Sequence, residues 1–175
     1  VFDAYYEDDA QGFRLDQFNF NMHEPDFSLE KLTFDVVNDP HNFRLGGLLI
    51  KTKRNAANSY MYGYKEIIEG KGALNVDPID FEEFQAFVPE VTIHARPTFT
   101  MSGDLYSDTL WLDLLIKEDE QEISLGAGLY KVMTLFDSTR NDVPNYALTL
   151  TTKHLDPGHW LGDTLLTSDI NLKSH

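Results

Sequence analysis

Strict alternation of apolar and polar residues is the feature of this sequence that most limits the folds open to it. In LTFDVV, the residues Leu32, Phe34 and Val36 fall on one side of an extended chain, and Thr33 and Asp35 fall on the other. The segments FNFNM, VTIHARPTFTM and YALTLTTKHL repeat this pattern. A period of two residues is that of a β-strand with one buried face. The sequence therefore predicts an all-β chain.

Turn signals separate these segments at intervals of about 10–15 residues, which is typical of antiparallel sheets. The strongest hairpin signal is LWLDLLIKEDEQEISLGAGLYKVMTLF, whose charged tip spans residues 118–121. Pro97 has no N–H to donate, so its strand lies at a sheet edge or breaks there. We expect an antiparallel β-sandwich or jelly-roll-like domain of about nine or ten strands. The alternative is a closed or repeat-hairpin β array.

One segment, PIDFEEFQAFVP, has a helical pattern instead. Asp80 stands where an N-cap is expected, with Glu83 three residues further on, the spacing of a capping box. Phe81, Phe84 and Phe87 then recur at about one helical turn. These features predict one short helix near 80–88 that packs its phenylalanines on a core.

Composition narrows the class of protein. The 175 residues contain no long Pro-, Gly- or Ser-rich linker, so residues 1–175 are expected to form a single domain. The formal charge of −15 argues against a nucleic-acid partner, and no apolar run is long enough for a membrane span. Cysteine is absent, which excludes disulfides and thiolate chemistry. The expected location is extracellular, cell-surface or periplasmic.

A short echo links two parts of the chain. Residues 39–50 read DPHNFRLGGLLI, and residues 156–167 read DPGHWLGDTLLT. Proline presets a turn, and the preceding aspartate accepts a backbone N–H two residues on. Asp39, Pro40, Asp156 and Pro157 are therefore predicted to be structural turn residues, each pair opening a strand–turn–strand unit. The echo also suggests a weak internal duplication with halves near 29–75 and 110–150.

Two kinds of cation site are open on the sequence. His154, Asp156 and His159 in HLDPGHW supply nitrogen and oxygen ligands, although their spacing matches no zinc signature. No cofactor is expected, and calcium is the alternative because carboxylates cluster in two places. Those clusters are Glu7, Asp8 and Asp9, and Asp104 with Asp108.

The segment SYMYGYKE predicts an aromatic strand face. Alternation places Tyr60, Tyr62 and Tyr64 on one side of a strand, and Trp111 or Trp160 would extend the surface. Such a face stacks on sugars, and it is equally an ordinary cross-strand packing pattern. It identifies these five residues as a candidate site for a glycan or another small ligand.

An enzyme is the third option. Glu82, Glu83 and Asp113 are the acids that a glycosidase mechanism would draw on, but no nucleophile elbow, phosphate loop or dinucleotide motif accompanies them. We therefore expect a non-enzymatic β-sandwich module of an exported or surface-associated protein, acting through protein–protein contact, self-association or assembly. Apolar strands at 110–116 and 129–136 would offer edges for pairing. The alternative is a carbohydrate- or small-ligand-binding module that uses the aromatic strand face.

Overall fold

The computed structural model describes residues 2–7, 10–89, 92–135, 139 and 142–174. Its strands are β1 (Phe2–Glu7), β2 (Ala10–Met22), β3 (Phe27–Asn38), β4 (Asn42–Thr52), β5 (Ala56–Tyr64), β6 (Glu69–Val76), β7 (Thr98–Tyr106), β8 (Thr109–Glu118), β9 (Gln121–Tyr130), β10 (Asn145–Leu155) and β11 (Ile170–Ser174). One α-helix, α1 (Pro157–Leu161), and 3-10 helices at Phe81–Phe84, Val132–Leu135 and Thr164–Leu166 complete the described elements.

All the described strands belong to one antiparallel sheet. Each strand pairs with its neighbours in sequence, so the order in space is β1 to β11 without a crossover. Within the described part of the chain no ladder joins β1 to β11, and the sheet is not closed. The prediction of an all-β antiparallel chain is confirmed.

Two expectations about individual strands need correction. Residues 110–116 lie in β8, which pairs with β7 on one side and β9 on the other, so the prediction of a free edge there is wrong. Strand β9 ends at Tyr130, and Val132–Leu135 is a 3-10 helix instead of a continued strand. Pro97 does interrupt its strand, because β7 begins at the next residue, Thr98.

The register gives the sheet two chemically different faces. On one face, which we call the apolar face, apolar side chains and glycines form rows that cross β5–β10. The central rows of this face contain no charged residue. Its central rows are Met61, Gly72, Gly103, Leu112, Ala127 and Leu148, and Ser59, Leu74, Met101, Leu114, Leu125 and Leu150. The opposite, polar face carries Tyr62, Lys71, Asp104, Trp111, Gly128 and Ala147 in its central row.

The predicted helix near 80–88 is present as a single 3-10 turn, Phe81–Phe84. The Asp80 carboxylate caps it by accepting from the backbone N–H of Glu82. Glu83 does not complete a capping box. Its carboxylate, nearly buried, accepts instead from the Thr52 hydroxyl, the Arg54 backbone N–H and the Asn55 side-chain amide, and so ties the helix to the turn after β4.

Little of the sheet is covered by the rest of the chain. Among the described residues the buried apolar side chains are those of Leu29, Ala95, Pro97 and Val132, and no large side chain is fully buried. A cluster of phenylalanine rings lies at the start of β3. There the Phe27 ring lies 6.3 Å from Phe84 and 5.5 Å from Phe87, measured between ring centroids. The phenylalanines of the 80–88 segment thus pack on the β2–β3 hairpin.

In the part of the chain that the structure describes, we find no helix with the length and apolar character that crossing a membrane requires.

Candidate functional site

The first Asp-Pro pair lies in the turn between β3 and β4. The Asp39 carboxylate accepts from the backbone N–H groups of His41, at 2.8 Å, and Asn42, at 2.6 Å. The first of these bonds is the main reason that the pKa of Asp39 lies below its ordinary value of 3.8. The carboxylate therefore stabilises this turn in its ionised form.

We expect Asp39→Asn to weaken the dependence of stability on acid. A lowered pKa in the folded state contributes stability that is present above pH 3.8 and lost as the pH falls through the lower value. Thermal midpoints of the wild type and the variant, measured between neutral pH and pH 2, should therefore converge towards the acid end. Parallel curves across this range would contradict the assigned role of Asp39.

The second Asp-Pro pair stands in a different local structure. Asp156 is the N-cap of α1, where its carboxylate accepts from the backbone N–H groups of Gly158 and Ser168. Gly162 ends this helix with φ at 66°. A short helix therefore stands where a strand–turn–strand unit was expected at 156–167. The two similar sequence segments, 39–50 and 156–167, have different local structures.

The three proposed metal ligands in this region have separate partners. His154 pairs with Asp169 at 3.3 Å, and His159 pairs with Glu118 at 3.3 Å. Asp156 is engaged as the helix cap described above. Across the described ranges, no group of three or more histidine and acidic side chains is arranged to hold a metal ion.

The carboxylates considered for calcium are also placed apart. Asp8 and Asp9 lie outside the described residues, and Glu7 is the last residue of β1. Asp104 forms an ion pair with Lys71 at 2.8 Å. Asp108, in the turn between β7 and β8, accepts from the backbone N–H of Met133 and so joins this turn to the 3-10 helix after β9. These two acids have different structural roles.

The acids considered for catalysis have different surroundings as well. Glu82 is exposed and pairs with Arg54 at 2.8 Å, whereas Glu83 is held by the hydrogen bonds described above. Asp113 lies on the polar face of β8, in register with Ser102 and Gly126. Glu83 is thus a structural group that joins two segments of the chain.

The aromatic residues of β5 lie together on the polar face. The rings of Tyr60 and Tyr62 are stacked with centroids 6.5 Å apart, and Tyr64 meets Tyr62 edge-on at 6.0 Å. A groove of about 440 Å³ opens beside them and runs across β6 and β7 to β8. We call this the aromatic groove; the side chains that define it are Tyr62, Tyr64, Glu69, Lys71, Asp104, Tyr106 and Trp111.

Trp111 forms the β8 wall of the groove, and β9 sets its position. A Cβ placed on Gly128 would lie 2.7 Å from Cζ3 of the indole, so the ring occupies the space above this glycine. Tyr130 meets the same indole edge-on at 5.3 Å. The indole is therefore held against the sheet while 47% of the residue stays exposed.

Charged groups lie between the aromatic walls. The ammonium of Lys71 and the carboxylate of Asp104 form their ion pair across neighbouring strands, at the middle of the groove. The hydrogen bond to Asp104 raises the pKa of Lys71 above its ordinary value, so this side chain is cationic near neutral pH. Glu69 adds a second carboxylate to the lining.

Trp160 does not belong to this site. It lies on α1, where its indole N–H donates to the side-chain oxygen of Gln121 at 3.0 Å. The groove thus contains three of the five aromatic residues selected from sequence, and Tyr60 stacks on one of them, Tyr62. The structure adds Glu69, Lys71, Asp104 and Tyr106. The alternation in EGKGALNV places Glu69 and Lys71 on one strand side, but which strands flank β6 is not evident from sequence.

A second concave region lies on the apolar face. It is a trough of about 400 Å³ across β5–β7, at positions where glycines leave the sheet without side chains. Those glycines are Gly63, Gly70, Gly72 and Gly103. Phe43, Leu45, Met61, Met101, Leu105 and Leu112 are among the side chains around it. Glu69 and Lys71 also border the trough, although by register their side chains belong to the polar face.

Comparisons with known proteins found no match to this chain among family models, curated proteins or solved structures.

Proposed function

We propose that this chain is a non-enzymatic module of an exported or surface-associated protein, acting through protein–protein contact, and that a second copy covers its apolar face. The observation that carries this proposal is the charge-free apolar face across β5–β10. Met61, Met101 and Leu148 on this face are each at least 40% exposed. A contiguous apolar surface of this extent is typical of a protein interface.

The accessible surface of the chain supports the same conclusion. It amounts to 11702 Å² for a mass of 20.0 kDa. A compact monomer of this mass exposes about 8,700 Å², so the excess is on the order of 3,000 Å². Interfaces of stable homodimers bury roughly 1,000–2,500 Å² from each partner. The excess surface is therefore large enough to supply one side of a stable dimer.

Pairing two copies would also complete the architecture expected from the sequence. Two antiparallel sheets that pack face to face, about 10 Å apart, form a β-sandwich with an apolar interior. The trough across β5–β7 is a recess on this face, whereas Tyr146 and Leu148 of β10 are exposed on it. In a two-fold pair each chain presents its trough to the other's β10, because the same patch is used twice.

The distribution of charge favours this face over the others. The chain carries a formal charge of −15, and like charges on two copies repel one another. Lys71, Asp104, Asp113 and Glu122, four charged side chains of β6–β9, lie on the polar face. Contact through the apolar face keeps these groups in water. The absence of cysteine makes the module insensitive to the oxidising conditions outside the cytoplasm.

Sedimentation equilibrium over a range of concentrations tests the proposal. The expected result is a reversible species of twice 20.0 kDa whose population grows with concentration. Added salt should strengthen the association, because it screens repulsion between the acidic chains. A strict monomer at the highest concentration would overturn self-association. An assembly weakened by salt would place the contact on charged groups and would contradict the role of the apolar face.

A further inference from the structure

We propose that the aromatic groove on the polar face is a binding site for a neutral oligosaccharide. This site goes beyond the proposed function, because it lies on the opposite side of the sheet from the apolar face. A pair of copies joined through their apolar faces would leave both grooves open to solvent. Binding in the groove and self-association are therefore independent properties that separate experiments measure.

The walls of the groove suit the apolar C–H faces of sugar rings. Tyr62 and Tyr64 line one end, Trp111 lines the other, and Tyr106 lies on the strand between them. Tyr106 is 65% exposed and Trp111 47%, so both offer apolar surface that a ligand would bury. Tyr62 and Trp111 stand three strands apart in one register row, a span of about 14 Å. That span is longer than one pyranose ring and fits a short chain of sugars.

The polar groups of the groove suit hydroxyl groups. Lys71 can donate hydrogen bonds, and Asp104 and Glu69 can accept them. The groove therefore offers donors and acceptors to sugar hydroxyl groups, which can both donate and accept. Lys71 and Asp104 already neutralise one another, which leaves only hydrogen-bonding capacity at the centre. The groove thus combines aromatic walls with a few polar groups, the composition of sites that bind small polar ligands.

The charges indicate that the ligand is neutral. One ammonium faces two carboxylates in the groove, and the whole chain is acidic, so an anionic glycan would be repelled. A quaternary ammonium ligand would bind aromatic rings through cation–π contact. Tyr62 and Trp111 stand three strands apart, about 14 Å, so these rings do not close around a single ammonium group. A neutral oligosaccharide meets neither obstacle.

The two tryptophans of the chain give a direct assay. Trp160→Phe leaves Trp111 as the only tryptophan, so its fluorescence reports the groove alone. Titration with cello-, xylo-, manno- and chito-hexaose should give a saturable change in emission with at least one of them. Trp111→Phe, which keeps the remote Trp160, should give no saturable change with the same sugar.

Substitutions on the two faces provide the matched comparison. Tyr62→Ala in the Trp160→Phe background should weaken binding about tenfold, because it removes one aromatic wall. Tyr146→Ala removes an exposed tyrosine from the apolar face and should leave the affinity unchanged. Equal effects of the two variants would overturn the assignment of the groove.

Two glycines of β9 test the placement of the indole. Gly128→Ala puts a Cβ 2.7 Å from the Trp111 ring and must displace it, so glycan binding should weaken about tenfold. Gly126→Ala lies on the same strand and face, and its Cβ would meet only Asp113 at an ordinary 3.5 Å. This control should bind like the parent. Equal affinities for the two glycine variants would show that the indole position does not matter and would contradict the site.

The remaining outcomes are also decisive. No saturable change with any of the four hexaoses would overturn the proposal, as would a response to choline chloride in their absence. Neither result bears on self-association, which sedimentation measures in the same samples.

Discussion

Leu114→Glu should convert the self-associated protein into a monomer. Leu114 stands in the middle of the apolar face, in register with Met101 on β7 and Leu125 on β9. A carboxylate at this position would lose its hydration when two sheets meet, at a cost of about 3 kcal/mol or more. The dissociation constant should therefore rise by at least about 100-fold. Sedimentation equilibrium measures the change.

Leu115→Glu is the matched control for this experiment. Leu115 is the next residue of β8, also half-buried, but it faces the polar side of the sheet between Thr100 and Ser124. A glutamate there stays in water when the apolar faces pair, so association should be close to that of the wild type. If both variants dissociate alike, the loss reflects damage to β8, and the contact does not lie on the apolar face.

Glu83→Ala should cause the largest loss of stability among the single substitutions considered. The nearly buried carboxylate accepts from Thr52, Arg54 and Asn55, and its removal deletes all three hydrogen bonds at once. Thr52 and Asn55 keep weaker contacts to backbone carbonyl groups, whereas the Arg54 N–H loses its acceptor. Hydrogen bonds to a charged group contribute about 1.5–3 kcal/mol each, and they are not fully additive. We expect the free energy of unfolding to fall by about 3–5 kcal/mol in urea denaturation.

The adjacent glutamate supplies the control. Glu82 is exposed and forms an ion pair with Arg54, a type of contact that contributes about 0–1 kcal/mol. Glu82→Ala should therefore leave the urea midpoint nearly unchanged, and Glu83→Gln should fall between the two alanine variants. A loss below 1 kcal/mol for Glu83→Ala would show that the segment at 80–88 is not anchored through this side chain.

The all-β character of the chain was predictable because a strand face is a local pattern. Leu32, Phe34 and Val36 alternate within six residues, and no distant contact is needed to recognise them. The order of the strands in the sheet depends on which strands pair with one another. The alternation within one strand does not indicate which strands lie beside it. The free edge expected at 110–116 was wrong for this reason, since both sides of β8 are occupied.

The two Asp-Pro pairs show a second limit of sequence reasoning. Aspartate followed by proline is suited to a turn and equally to the start of a helix, because in both the carboxylate accepts a backbone N–H two residues on. The residues after the pair decide the outcome. His41 and Asn42 lead directly into β4, whereas Pro157–Leu161 closes one helical turn. Because the second pair begins a helix, Trp160 lies on α1 and not on the strand face predicted to bind a ligand.

One wall of the aromatic groove could be predicted from a single strand. Tyr60, Tyr62 and Tyr64 belong to β5 and share a face by alternation alone. Lys71 and Asp104 come from the next two strands, and their ion pair depends on the register that joins Tyr62 to Lys71 and Lys71 to Asp104. Single-strand patterns hold no information about that register. Asp104 was considered for a calcium site from sequence because the sequence does not show that Lys71 lies opposite it.

The sequential order of the strands also makes the hairpin the natural unit of change in this sheet. Each strand depends for its hydrogen bonds only on the strands before and after it along the chain. Inserting or removing a pair of adjacent strands would alter the width of the sheet while every other residue kept its side. Losing a single residue inside a strand would instead turn all later positions of that strand over. Proteins related to this domain are therefore expected to differ by insertion or loss of whole hairpins. Within each strand, the same alternate positions should keep facing the same side of the sheet.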